Sequence, residues 1–249
     1  MAGGRYHVPD DDLFTERAQL TVAAPSLDAQ QRLLRRAARA LGRHGLVHAY
    51  GHASLRLDAD RFLVCAPQPM GQIPEGAEGT IVPLDGPLPD GVLGEVRIHR
   101  EIYRRRPEIG GVVRSMPPKI MSLSTLRLTP GARHGFGSYF LADGMPLWDS
   151  PLLIRDDEKA AEIVDLMGAA RAIVMRGNGL VTAGESLEEA VVLTWYAEDA
   201  ARVELDVLGA GEAGTPAFIT QDEAKVRATW SGRIRERMWD YLTYGDPER

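Results

Sequence analysis

Period-two and helical apolar patterns interleave along this chain with no internal repeat, and that mixture most narrows the fold it can adopt. Ser26 reads as the N-cap of a helix to about Arg43, with Leu33, Leu34, Ala37, Ala38 and Leu41 at the spacing of one buried stripe. Residues 52–57 alternate like a strand, 61–66 read as its return, and 80–84 as a third short strand. A helix over 93–106 ends at Pro107, and an apolar strand over 109–113 leads to Pro117–Pro118 and a helix to Leu126. Residues 130–150 read as an irregular Gly-rich excursion, 156–167 as a helix, 172–175 as a buried strand and 177–184 as a loop. Ser186-Leu-Glu-Glu189 fits a capping box opening a helix to about Leu208, and Gln221 to Leu242 reads as a final helix after a linker. Strands and helices mixed this way predict one α/β domain over 26–249, behind a polar lead-in over 1–25.

Composition removes several classes of function. With 29 basic and 35 acidic residues among 249, the net charge of −6 offers no footprint for nucleic acid or an anionic membrane. Cys65 is the only cysteine, so a Cys-based zinc or redox site is excluded, and the residue reads as a small buried apolar side chain. No apolar run reaches the ~18 residues of a membrane span, and the polar, acidic start carries no signal-peptide core. These features predict a cytoplasmic protein acting on a small molecule. Gly135-Phe136-Gly137-Ser138 lacks the third glycine of a dinucleotide fingerprint, and Ser54 and Ser115 lack a nucleophile context.

Three segments in order carry a resemblance. They are Gly51-His52-Ala53-Ser54-Leu55-Arg56; then Gly94-Glu95, His99, Ile102-Tyr103 and Arg106-Pro107 running into Val112 to Pro117; and Met175-Arg176-Gly177-Asn178-Gly179 followed by Gly184 and Ser186 to Ala190. Across roughly residues 28–208 the chain resembles the class II aldolase/adducin family. The resemblance implies a three-layer α/β/α fold around a mostly antiparallel sheet. It also implies a homotetramer with sites between subunits, where Tyr139 and His134 of the Gly-rich excursion are candidate substrate contacts in trans.

The departures from that pattern shape the functional expectation. Family enzymes hold a divalent metal with a His-x-His pair and a third His in an Arg-Gly-His-Gly turn; the corresponding positions here are Arg114, Met116 and Asn178. Arg has no lone pair to give and repels a cation, a thioether is a soft ligand, and an amide is a weak one. The expectation is therefore no metal and no cofactor, with a relocated site from His52, Glu95 and His134 as the alternative. Leu93 and Gly94 stand where sugar-phosphate aldolases place small hydroxyl residues, and Met70, Met116 and Trp148 add to an apolar cleft suited to a larger, non-phosphorylated substrate of specialised metabolism.

The leading expectation is a metal-independent lyase that makes or quenches an enolate, by aldol cleavage, decarboxylation or a related cyclisation or isomerisation. Glu95 is the candidate acid/base, and His52 a base, a hydrogen-bond donor or a packing residue. Arg114 either replaces the metal's charge or merely neutralises Glu95. Asn178, Met116 and Ser54 are candidate substrate contacts, while His99 reads as structural. The competing readings are a non-catalytic adducin-like binding protein and a metal-dependent aldolase or oxygenase-decarboxylase.

Overall fold

The computed structural model describes residues 25–140, 144–211 and 217–248, so all of the lead-in expected over 1–25 except Pro25 lies outside the described residues. Ser26 caps the first helix as its side-chain chemistry predicts, accepting from the Ala29 amide at 3.2 Å, and α1 runs Leu27–Arg43. The strands are β1 (His52–Arg56), β2 (Arg61–Val64), β3 (Thr80–Pro83), β4 (Gly111–Ser115), β5 (Leu147–Trp148), β6 (Ala172–Met175) and β7 (Gly179–Gly184). They form one sheet in the order β3-β2-β1-β4-β7-β6-β5, antiparallel throughout except for the parallel β5–β6 pair.

Alternation along the strands divides the apolar residues between two faces. Ala53, Leu55, Val113 and Leu180 pack with α1 and with α5 (Leu187–Gly209), and α3 (Pro118–Thr125) lies against α5. Phe62, Val112, Ile173 and Val181 pack on the other face with α2 (Val96–Arg105) and α4 (Asp157–Met167). The expected three-layer arrangement is therefore present. The same alternation turns His52, Ser54 and Arg56 of β1, and Arg114 of β4, toward α2.

Two local readings are corrected. The segment over 177–184, expected as a loop, is mostly the fully buried strand β7, at the middle of the sheet between β4 and β6. Its glycines look like loop composition, but Gly179 sits at φ +98° and a Cβ there would lie 2.1 Å from the Ser115 carbonyl oxygen. Close approach of two backbones, not a turn, demands that glycine. The last helix is not continuous either: α6 (Gln221–Arg227) and α7 (Ile234–Leu242) are separated at Gly232 and Arg233, both in the left-handed region. The irregular excursion also contains a strand, β5, that its sequence did not suggest.

Gly179→Ala is expected to destabilise the fold by at least about 2 kcal/mol, from left-handed strain plus displacement of β4. Gly209→Ala, where a Cβ meets nothing within 4 Å, is the matched control. Urea unfolding midpoints of the two variants check this, and equal midpoints would remove the close-approach argument.

Candidate active site

The face of the sheet turned toward α2 opens into a cavity of about 900 Å³ between β1, the loop after β2, the start of α2 and the segment before α4. Gly51, at φ +140°, brings the chain into β1 with its backbone against the Arg114 carbonyl, where a Cβ would sit at 3.0 Å. His52 then pairs across the ladder with Arg114. Glu95 lies at the N-cap of α2 without capping it, which leaves its carboxylate free to turn to the sheet. Asn178 comes from the tight β6–β7 connection, closed by its own amide donating to the Met175 carbonyl at 2.9 Å. Gly177 at φ +62° supplies the left-handed position of that turn.

These three side chains form a closed polar triangle. Arg114 Nη2 stands 3.0 Å from Glu95 Oε2 and donates to Asn178 Oδ1 at 2.8 Å, while Asn178 Nδ2 donates to Glu95 Oε1 at 3.3 Å. The Ile154 amide also donates to Glu95 Oε1, at 3.2 Å. Arg114 is buried, and its Nε finds no acceptor among the described residues. Burial pulls its pKa down from the ordinary guanidinium value, with Glu95 pulling the other way. All three residues line the cavity.

Behind His52 lies a buried polar chain. His52 Nδ1 is 2.8 Å from His99 Nε2, and His99 Nδ1 is 2.6 Å from Ser54 Oγ. The Tyr103 hydroxyl donates to the Ser54 carbonyl at 3.0 Å. Burial, helped by the Arg114 cation, pushes His99 down to about 3, and His52 is also driven well below the usual imidazole value by burial, His99 and Arg114. Both rings are neutral at physiological pH.

The structure sorts the expected site residues. Glu95, Arg114, His52, Asn178 and Met116 all line the cavity, as does Leu93. Ser54, expected to touch substrate, is instead fully buried and bonded to His99 and Tyr103. Met70 belongs to the core beside α1 rather than to the cleft, and Trp148 does not line it. Within one chain neither Tyr139 nor His134 reaches the cavity: the Tyr139 hydroxyl donates to the Thr229 carbonyl, and His134 Nε2 lies 3.1 Å from Asp199. The relocated metal trio of His52, Glu95 and His134 is therefore not assembled.

The cavity also has walls that sequence reasoning passed over. Tyr50, Leu153, Ile154 and Arg155 line it, and Arg155 has no hydrogen-bond or ion-pair partner among the described residues. Residues 152–155 precede the α4 cap, Asp156, and nothing in their own pattern points to a site.

The family model described as Class II Aldolase and Adducin N-terminal domain matches residues 32–205. The chain belongs to this family. It is 34% identical over 193 residues to a 3,4-dihydroxyphthalate decarboxylase of Arthrobacter keyseri, covering 71% of this chain and 78% of that one. It is 26% identical over 192 residues to Decarboxylase tropJ of Talaromyces stipitatus, covering 66% and 71% of the two chains. Among solved structures, an L-fuculose-1-phosphate aldolase from Thermus thermophilus superposes with a TM-score of 0.64 at 26% identity, over 74% of this chain and 98% of that one.

The divalent metal expected of this family does not fit the residues present. Arg114 fills one ligand position with a cation, and the Asn178 oxygen at another is committed to that guanidinium. Met116 offers only a thioether at the third.

Proposed function

We propose that this chain is a decarboxylase that works without a divalent metal on a planar, non-phosphorylated carboxylate bearing an enolisable oxygen. The observation that carries the reading is the Arg114–Glu95–Asn178 triangle, a fixed cation paired to a carboxylate on the wall of an open cavity. Two relatives bear decarboxylase names, which supports the same reaction type here. Among the described residues no Ser or Thr lines the cavity to receive a phosphate, and Leu93, Met116, Leu153 and Pro67 give it apolar walls.

In such a substrate the carboxylate leaves from the carbon next to a carbonyl carbon, or next to a carbon whose hydroxyl can become a carbonyl. Glu95 takes the hydroxyl proton and delivers it to the carbon that bears the carboxylate. The bond to that carboxylate then breaks, its electron pair flows into the carbonyl oxygen, and CO₂ departs. Arg114, with the Asn178 amide, holds the oxyanion, which takes up one proton from solvent. Arg155 at the same cavity supplies a second cation for an anionic substituent.

The test is CO₂ release from 3,4-dihydroxyphthalate and from a panel of hydroxybenzoates and β-keto acids, with chelator-dialysed protein whose metal content has been measured. Turnover is expected to be unchanged by chelation and by added zinc, manganese or magnesium. About one metal per chain whose removal abolishes turnover and whose return restores it would overturn the metal-independent reading. Failure of every substrate to release CO₂ would overturn the decarboxylase reading.

A further inference from the structure

The side chains of Tyr103, Ser54 and His99, behind His52, and His52 itself are buried, and with both rings neutral each of the four carries one proton to donate. Four contacts await these protons. The Tyr103 hydroxyl lies 3.0 Å from the Ser54 carbonyl and 3.0 Å from Ser54 Oγ. Ser54 Oγ is 2.6 Å from His99 Nδ1, and His99 Nε2 is 2.8 Å from His52 Nδ1. A carbonyl can only accept, so the Tyr103 proton goes to it. The contact between Ser54 Oγ and the Tyr103 oxygen then needs the Ser54 proton. Ser54 Oγ is left as the acceptor toward His99, which carries its proton on Nδ1. His99 Nε2 therefore accepts, and His52 donates to it from Nδ1. No other assignment gives all four contacts a proton, and this one leaves His52 Nε2 with a bare lone pair. That nitrogen has no hydrogen-bond partner among the described residues and is not one of their fully covered atoms, so it opens to the cavity that His52 lines.

We propose that Tyr103, Ser54 and His99 are positioning residues that hold His52 as its Nδ1–H tautomer, and that the bare Nε2 accepts a hydrogen bond from a second hydroxyl of the substrate, beside the one that becomes the oxyanion. The hydroxyl contact rests on the decarboxylase reading; the tautomer does not. Exposure is 3% for His52 and 0% for Ser54 and His99, so no bulk water competes for the bonds of the chain. His52 is paired directly with Arg114 across the antiparallel ladder, and such partners have Cβ atoms about 4.5–5.5 Å apart. The groups that meet these two side chains therefore belong to neighbouring atoms of one substrate ring or chain. Arg114, with donors only, holds the charged oxygen. His52 Nε2 repels an oxyanion, a carboxylate or a phosphate oxygen and takes only a donor. The substrate class narrows to a planar carboxylate with two neighbouring hydroxyls. Burial and the Arg114 cation keep His52 a weak base, so the second hydroxyl retains its proton.

The experiment is long-range ¹H–¹⁵N correlation on ¹⁵N-histidine-labelled protein, which reads each ring's tautomer whether or not a substrate is known. His52 and His99 are both expected as Nδ1–H in the wild type. Tyr103→Phe frees the Ser54 proton to turn to His99, so Nε2–H forms of both rings should appear. A wild-type His52 with its proton on Nε2, or unchanged tautomers in Tyr103→Phe, overturns the lock, and the wild-type spectrum decides even if that variant does not fold. Turnover reads the hydroxyl contact. For a dihydroxylated substrate that releases CO₂, kcat/KM should exceed that of the analogue lacking the second hydroxyl by about 10–10²-fold in the wild type, and by less than about threefold in His52→Leu. An equal ratio in the two proteins, or turnover confined to substrates without a second hydroxyl, overturns that contact. An Nδ1–H His52 in a protein that releases no CO₂ would instead leave the lock standing and sink the decarboxylase reading.

Discussion

Arg114→Met is expected to lower kcat by about 10²–10³-fold while the sheet stays folded. The side chain it replaces is the only cation of the polar triangle, and methionine fills the same strand position without charge. Arg114→Lys should recover part of the rate. Lysine keeps the charge but not the planar fork that engages Glu95 and Asn178 through Nη2 at 3.0 and 2.8 Å. The sequence left two readings of Arg114 open, and the structure shows the guanidinium both paired to Glu95 and lining the cavity, which leaves the choice to experiment. They still separate experimentally. If the guanidinium served only to neutralise Glu95, the methionine variant would keep its maximal rate at a displaced pH. pH–rate profiles and thermal melts on the two variants decide, and a stable, fully active Arg114→Met protein would leave the cation no role in the chemistry.

Arg39→Ala is expected to cost about 3–5 kcal/mol of stability, the range for breaking a buried ion pair by removing one partner. Arg39 donates through Nε and Nη2 to Asp246 at 2.9 and 2.7 Å, and through Nη2 to Glu248 at 2.8 Å. Its side chain is 10% exposed and that of Asp246 is 0%, and the buried carboxylate left behind keeps only the Arg43 guanidinium as an ion-pair partner, at 3.1 Å, which places the cost at the lower end of that range. Arg35 holds Glu248 from the preceding turn of α1, and the two arginines also donate to the Ile73 and Ala77 carbonyls. The cluster therefore pins α1, the 73–77 loop and the segment after α7 together. Guanidinium unfolding midpoints measure the loss, and a shift equivalent to less than about 1 kcal/mol, the ceiling of a surface pair, would contradict the buried geometry.

The same cluster has a pH signature. Hydrogen bonds from Arg35 and Arg39 hold Glu248 down at about 2, and the bond from Arg39 brings Asp246 below its ordinary value against the pull of burial. Both carboxyls thus titrate lower folded than unfolded. Their stabilisation is complete above the unfolded value, near about 4–4.5, and is lost as pH falls toward about 2. The stability difference between the wild type and Glu248→Gln should accordingly be constant from neutral pH to about 5 and shrink below it.

Much of the site's foundation was legible because it rests on short-range rules. Ser26 caps α1 as its sequence position predicts, accepting from Ala29, and Asp156, read as the start of α4, caps that helix by accepting from Lys159. Ser186 accepts from the Glu189 amide, yet the reciprocal half of the expected capping box is missing. The Glu189 carboxylate is drawn off by Arg171 and Arg235, partners that its own helix cannot announce. Glu95, Arg114 and Asn178 were identified in segments far apart in sequence, and the motif order was enough to assemble them.

What the sequence determined by itself is whatever follows from spacing of one to four residues. That covers the helix starts and the alternation that places His52 and Ser54 on one face of β1. The expectation that metal-donor chemistry is lost at positions 114, 116 and 178 came from the family resemblance and not from spacing. Only the tertiary structure decided that 179–184 is a central strand, that Ser54 lies behind His52 instead of beside substrate, and that 153–155 closes the cavity. It likewise decided that Tyr139 and His134 pack elsewhere in the chain. The physical reason is common to all four. Each depends on which segments the sheet order brings within a few ångströms, and hydrophobic periodicity states which face is buried without stating against what.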